Sequence, residues 1–103
     1  MKIDEVPMVR VTWTDARDME TGWVSIKEIF KAPLANCQDV GWMVVNNDEK
    51  IVIMRSWALD EEKEEDQEGG GSTAIPKCWV KKIEYLEVSN SARWKFTGKY
   101  EDL

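Results

Sequence analysis

The side chains best suited to catalysis or metal binding are scarce in this chain. Histidine is absent from its 103 residues, and the two cysteines are Cys37 and Cys78. Without a histidine, neither thiol has the usual base that would activate it as a nucleophile, and a Ser–His–Asp triad is excluded. Two cysteines alone also cannot complete a tetrahedral zinc site. We therefore predict a protein that is not an enzyme and that holds no metal or cofactor.

The two cysteines leave two interpretations open, one disulfide or a pair of reduced thiols. Residues 1–5 carry early acidic side chains and lack the apolar stretch of a secretory signal. Reduced, buried thiols are therefore favoured, as in a protein of the cytoplasm. No apolar run approaches the roughly 20 residues that a membrane-spanning helix needs, so we predict no membrane span.

Acidic residues are concentrated in one short segment. Between Asp60 and Glu68 there are seven acidic residues and one base, Lys63, so this segment accounts for the whole net charge of −6. Removing it from the totals of 20 acidic and 14 basic residues leaves thirteen of each, and the remaining body is neutral. The spacing is not that of a calcium-binding loop. We predict a solvated, mobile loop over 60–72, and the alternative is a site for a basic partner or a cation.

Six tryptophans are an excess for a domain of this size. A small core cannot enclose six indole rings, each of which buries about 150–250 Å². We predict three or four core rings, among them Trp13, Trp42 and Trp57. Some of Trp23, Trp79 and Trp94 should then lie at the surface and form a partner or oligomer interface. The alternative for the second set is partial exposure without a partner.

The C-terminal stretch alternates basic and aromatic side chains. It reads Arg93-Trp94-Lys95-Phe96-Thr97-Gly98-Lys99-Tyr100. The pattern fits an added strand with Trp94 and Phe96 turned inward, a protein-partner site that also uses Tyr100, or a segment that stacks on single-stranded nucleic acid. In the third case, Arg93 and Lys95 would contact the ligand. The neutral body and the acidic segment disfavour a phosphate backbone, so the added strand is favoured.

Short strands and one brief helix must position these residues. The predicted strands are residues 9–14, 40–45, 50–59, 73–75 and 78–88. The turn residues 46–49 join the second and third strands in a hairpin, and the apolar run 40–45 predicts a strand covered on both faces. Ser25 and Glu28 form a capping box that begins a helix, which Pro33 ends within about two turns. Ile26, Ile29 and Phe30 then share one helical face.

This element order predicts one mainly β domain over residues 1–103. Five short antiparallel strands, with one short helix between the first two, suggest a small and strongly bent barrel over about 8–88. Residues 89–103 are then a tail or an added strand. A split α+β sheet is the alternative.

Several short motifs resemble a group of small bacteriophage proteins. They are Val11-Thr12-Trp13, Gly22-Trp23-Val24-Ser25, Cys37–Trp42, Ile51-Val52-Ile53, Ile75-Pro76-Lys77 and Ile83–Leu86. The fold of that group is similar to an SH3- or Sm-like barrel, and the group carries no agreed activity. The resemblance implies an SH3-/Sm-like barrel and a phage- or prophage-encoded accessory protein of the bacterial cytoplasm.

Neutral charge and surplus aromatic side chains favour contacts with proteins over contacts with phosphates. We therefore expect a protein-interaction module, homo-oligomeric or bound to a host or phage protein, that acts in host takeover or counter-defence. The alternative function is an Sm-like ring that binds RNA or a small nucleotide between its subunits.

Overall fold

The computed structural model describes residues 5–19, 22–58 and 67–87, and it is mainly β-structure. In chain order the elements are β1 (Met8–Asp15), α1 (Ile26–Phe30), β2 (Ala35–Asn46), β3 (Lys50–Met54), β4 (Ser56–Ala58), β5 (Glu68–Gly70), β6 (Thr73–Pro76), a 3₁₀ turn (Lys77–Trp79) and β7 (Val80–Leu86). The predicted short helix between the first two strands is confirmed. Residues 88–103 lie outside the described part of the chain.

Five strands form one antiparallel sheet in the order β6-β3-β2-β1-β7, and β4 and β5 form a separate two-stranded ribbon. The predicted hairpin joins β2 to β3. At its turn the Asn47 side-chain oxygen accepts hydrogen bonds from the backbone N–H groups of Glu49 and Lys50, at 2.9 and 2.8 Å. Asn47 therefore fixes the turn through its side chain, as Asn does in tight turns.

The sheet must be strongly curved, because a short connection joins its two opposite edges. The strands β6 and β7 are the edge strands, and only the 3₁₀ turn separates them in the chain. In a flat sheet, edges four strand spacings apart would be about 19 Å from each other. The four residue steps from Pro76 to Val80 reach at most about 14 Å. Among the described residues no ladder joins β6 to β7, so the sheet is curled but open, and no closed barrel is found.

One face of the sheet carries an aliphatic core. Its fully or almost fully buried members are Val9, Val11, Met43, Ile51, Ile53 and Ile75. The strand registers place them together, since Val9 lies opposite the buried Gly41 and Ile51 lies opposite Ile75. Burying each Val or Ile side chain stabilises the fold by about 1.5–3 kcal/mol.

The tryptophans predicted for the core are only half-buried. Trp13 packs against the edge of the aliphatic cluster. Trp42 lies between Gly41 and Met43, so strand alternation turns it to the opposite face, where it meets Trp57 edge-on at 5.6 Å between ring centroids. The prediction that this run is covered on both faces is also wrong, since Val40 is 46% exposed.

The predicted strand 50–59 is broken at Arg55. After Met54 the chain leaves the main sheet, and β4 pairs with β5 instead. Residues 68–70, which fall inside the predicted mobile loop 60–72, therefore form a strand, and residues 59–66 lie outside the described part. A turn at Gly71, with a φ of 64°, leads from β5 to β6. The last strand begins at Val80, two residues later than predicted, because the 3₁₀ turn precedes it.

Candidate interaction surface

One end of the sheet gathers most of the exposed apolar side chains. There β1 ends at Asp15, which pairs with the first residue of β2, Ala35, and β7 begins at Val80 opposite Trp13. The chain leaves the sheet after Asp15 and returns at Ala35, so the intervening segment, with α1 in it, projects from this end.

The helix α1 forms as its sequence predicts. The Ser25 hydroxyl accepts a hydrogen bond from the backbone N–H of Glu28 at 3.3 Å, which caps the helix start. Val24 precedes the cap and Ile29 is four residues beyond it, the spacing of a hydrophobic staple, and both side chains line one groove. The helix ends at Phe30, three residues before Pro33.

The apolar side chains around α1 are open to solvent. Trp23 is 104% exposed and Phe30 is 81% exposed, although most Trp and Phe side chains in folded proteins are largely covered. The set, which we call the α1 surface, comprises Met19, Trp23, Val24, Ile26, Ile29, Phe30 and Leu34, each at least 49% exposed. Several exposed apolar side chains on and beside one helix are typical of interaction sites on soluble proteins.

A groove of about 570 Å³ runs between the chain leaving β1 and α1. Met19, Val24 and Ile29 supply its apolar walls, and Arg17, Asp18 and Glu28 supply its charged ones. Its walls carry both signs of charge, which makes it unsuited to a strongly anionic ligand such as a nucleic acid.

Trp79 borders a second groove at the same end of the sheet. Its ring stacks on Trp13, with 6.4 Å between the centroids and 10° between the planes, and the residue remains 41% exposed. Leu34 lines this groove of about 350 Å³ together with Trp79 and Thr14. Within the described residues the buried Thr14 hydroxyl has no hydrogen-bond partner. Leu34 thus connects the α1 surface to the groove beside Trp79.

A polar network holds Trp13 in place under Trp79. The Trp13 indole N–H donates to the Asp39 carboxylate at 2.7 Å, and the Arg55 guanidinium pairs with the same carboxylate. Arg55 also donates to the Gly71 carbonyl at 3.1 Å. Neither Asp39 nor Arg55 is among the site residues predicted from the sequence. Strand alternation in the sequence could have indicated Asp39, because it lies on the side of β2 that faces the core, where a charged side chain needs a partner.

Two of the predicted interface residues, Trp23 and Trp79, are exposed. Trp79 lines the second groove, whereas Trp23 precedes α1 and lines neither groove. The other predicted interface residues, Trp94, Phe96 and Tyr100, lie outside the described residues. The same holds for the predicted ligand contacts Arg93 and Lys95. The five interface assignments and the two ligand-contact assignments stay predictions.

The remaining side chains of the described residues were considered as metal ligands and as thiol sites. They contain no group of three or more His, Cys, Asp and Glu side chains that could hold a metal ion. The cysteines are unpaired thiols, as predicted, but Cys37 is half-buried and Cys78 is exposed, so the prediction that both are buried is wrong. No helix among the described residues is long and apolar enough to cross a membrane.

Comparison with known proteins gives no assignment: no family model matches the chain, and neither the curated proteins nor the solved structures include a significant match.

Proposed function

We propose that the protein is a non-enzymatic interaction module that docks another protein through the α1 surface. The observation that carries the proposal is the exposure of Trp23 and Phe30 beside a capped helix. The helix is formed by local sequence signals, yet its apolar stripe covers nothing in the described structure. Such a stripe costs solubility and contributes nothing to the core, so a binding role is the simplest reason to keep it exposed.

We propose further that the curved sheet is a variant of the SH3-/Sm-like barrel. In support, the last strand, β7, pairs with the first, and a single 3₁₀ turn carries the chain from one sheet edge to the other. A phage or prophage origin and a part in host takeover or counter-defence rest on the sequence resemblance alone. The alternative function, a ring that binds RNA or a small nucleotide between subunits, predicts extra mass matching a nucleotide in native mass spectrometry of the purified protein.

The docking function is tested by photo-cross-linking in cells. A benzophenone side chain at position 30 is expected to cross-link a protein, which mass spectrometry identifies. The same probe at Asp48, an exposed polar position in the turn at the opposite end of β2, serves as the matched control. The identified protein, once purified, should bind the wild type and lose binding to the double variant Trp23→Ser/Phe30→Ser.

The melting temperature of the double variant should stay close to that of the wild type, because neither ring lies in the core. Equal cross-linking at positions 30 and 48 would overturn the docking function. A double variant that unfolds would show instead that the α1 surface stabilises the fold.

A further inference from the structure

The strand β7 has one free edge. It pairs with β1 along its other edge, and no strand lies beside the free edge among the described residues. An unpaired strand edge presents a row of backbone N–H and C=O groups on which a further strand can form. Tyr85 lies directly opposite the buried Val9, so it is on the core-facing side of the sheet, yet it is 63% exposed. The free edge of β7 therefore offers both backbone groups and an uncovered core-facing ring.

The segment placed to pair with this edge is the one that follows β7 in the chain. β7 ends at Leu86, the described residues end at 87, and the chain continues to 103. A strand that returns beside β7 needs a turn of about two to five residues and then about as many residues as β7 has. Residues 88–103 are long enough for both. They supply turn residues in Ser89-Asn90-Ser91 and the period-2 alternation of a strand in 93–96.

A turn centred on residues 89 and 90 sets a register that brings apolar side chains together. Counting back from that turn, Trp94 falls opposite Tyr85 and Phe96 falls opposite Ile83. Ile83 packs against the aliphatic core, and directly opposite residues share one face of a sheet. In this register both rings lie on the core-facing side, and Trp94 covers the exposed Tyr85.

The charges on the other face agree with the same register. Lys95 falls opposite Glu84, and opposite charges directly across a strand pair stabilise it. A shift by one residue would turn the two rings away from the core and bring Lys95 to the core-facing side. A shift by two residues would separate Trp94 from Tyr85 and Lys95 from Glu84. We propose that residues 91–97 form a sixth strand of the sheet, antiparallel to β7, with Trp94 opposite Tyr85.

This strand gives two of the predicted interface side chains a different role. Trp94 and Phe96 become part of the fold, and they are not available to a partner. The strand also covers an edge of β7 on which other chains could pair. The inference does not rest on the docking function, because the α1 surface contains none of these residues.

Disulfide trapping tests the register in the full-length chain. In a Cys37→Ser/Cys78→Ser background, the pair Glu84→Cys/Lys95→Cys places two thiols directly across the proposed strand pair. The matched control, Lys82→Cys/Lys95→Cys, moves one thiol by two residues along the same face of β7. Under a mild oxidant the first pair should form a disulfide within one chain about tenfold or more faster than the second, because a disulfide requires Cβ atoms only about 4 Å apart. Gel mobility and mass spectrometry measure the product.

Thermal unfolding tests which side chains of the segment face the core. Trp94→Ser/Phe96→Ser should lower the melting temperature by about 4–8 °C or more, because two rings lose their contacts with the core-facing side of β7. Arg93→Ser/Lys95→Ser is the matched control from the same segment. It should leave the melting temperature nearly unchanged, because exposed charges contribute little to stability.

Three results would overturn the sixth strand. The two cysteine pairs would form disulfides at equal rates, or the Glu84→Cys/Lys95→Cys disulfide would join two chains and so assign the strand to a second copy, or Trp94→Ser/Phe96→Ser would leave the melting temperature unchanged. If circular dichroism shows that a cysteine variant does not fold, the melting-temperature comparison decides alone. None of these results changes the cross-linking expected at position 30, so the docking function stands or fails separately.

Discussion

The core face of the sheet and the α1 surface are built from the same kinds of side chain, but water reaches only the second. Ile51 and Ile53 are 0% exposed, whereas Ile26 and Ile29 are 67% and 55% exposed. In the sheet, each isoleucine lies among side chains of neighbouring strands. In α1, the same residue type faces solvent on a helix with no covering element in the described structure. Apolar content alone therefore does not tell which region folds the chain and which region binds a partner.

The largest expected effect on stability comes from shortening an isoleucine of the core, compared with the same change on α1. Ile53→Ala should destabilise the protein by about 2–5 kcal/mol, because it removes buried methyl groups and leaves a cavity. Ile26→Ala, the matched control on α1, should change the free energy of unfolding by less than about 0.5 kcal/mol. Both are measured by urea denaturation at low protein concentration, where docking adds nothing to stability. Equal losses would mean that the α1 surface belongs to the core.

A second comparison uses two glycines that differ in the space available to an added Cβ. A Cβ added at Gly41 would lie 2.5 Å from the Met54 carbonyl oxygen of the adjacent strand, whereas a Cβ at Gly22 would meet nothing within 4 Å. Gly41→Ala should therefore cost about 1–3 kcal/mol, and Gly22→Ala should be close to neutral. Each kcal/mol lost in Gly41→Ala should lower the melting temperature by about 4–8 °C. An unchanged melting temperature for Gly41→Ala would show that β2 and β3 move apart easily.

The local elements were predictable from the sequence because local chemistry determines them. The Asn47 turn and the Ser25 cap each depend on a few neighbouring residues, and the structure has both. The end of β3 at Arg55 had one local signal, a charged side chain on the same strand phase as Ile51 and Ile53. The apolar alternation resumes at Trp57, however, so the pattern predicts one continuous strand.

The candidate site was predictable only in part, because exposure is a tertiary property. The sequence placed Ile26, Ile29 and Phe30 on one helical face, but the same pattern describes a helix packed on a core. Trp23 was predicted at the surface from the number of tryptophans, without a reason to choose it over Trp13. The Asp39 contact that holds Trp13 joins β2 to β1 across 26 residues of sequence, which no spacing rule supplies.

The smallest expected effect lies on the outer face of the sheet, away from both apolar regions. There the Arg10 guanidinium donates two hydrogen bonds of 2.8 Å to the Glu84 carboxylate. These bonds, helped by the nearby charges of Arg10 and Lys82, hold the pKa of Glu84 below its usual value of 4.5. Because the folded state lowers the pKa, the pair contributes stability above pH 4.5 and loses it as the pH falls through the lower folded-state pKa. Its side chains are open to solvent and screened by salt, so the contribution is small.

Glu84→Gln should therefore lower the melting temperature slightly at neutral pH, and the difference from the wild type should shrink as the pH falls below 4.5. The change should be well below those of Ile53→Ala and Gly41→Ala, and added salt should reduce it further. Glu49→Gln, an exposed carboxylate in the hairpin turn, is the matched control. Melting curves from neutral to acidic pH measure the difference directly. A difference that grows toward low pH would reverse the sign assigned to Glu84, and one as large as that of Gly41→Ala would make the outer face a third stabilising region.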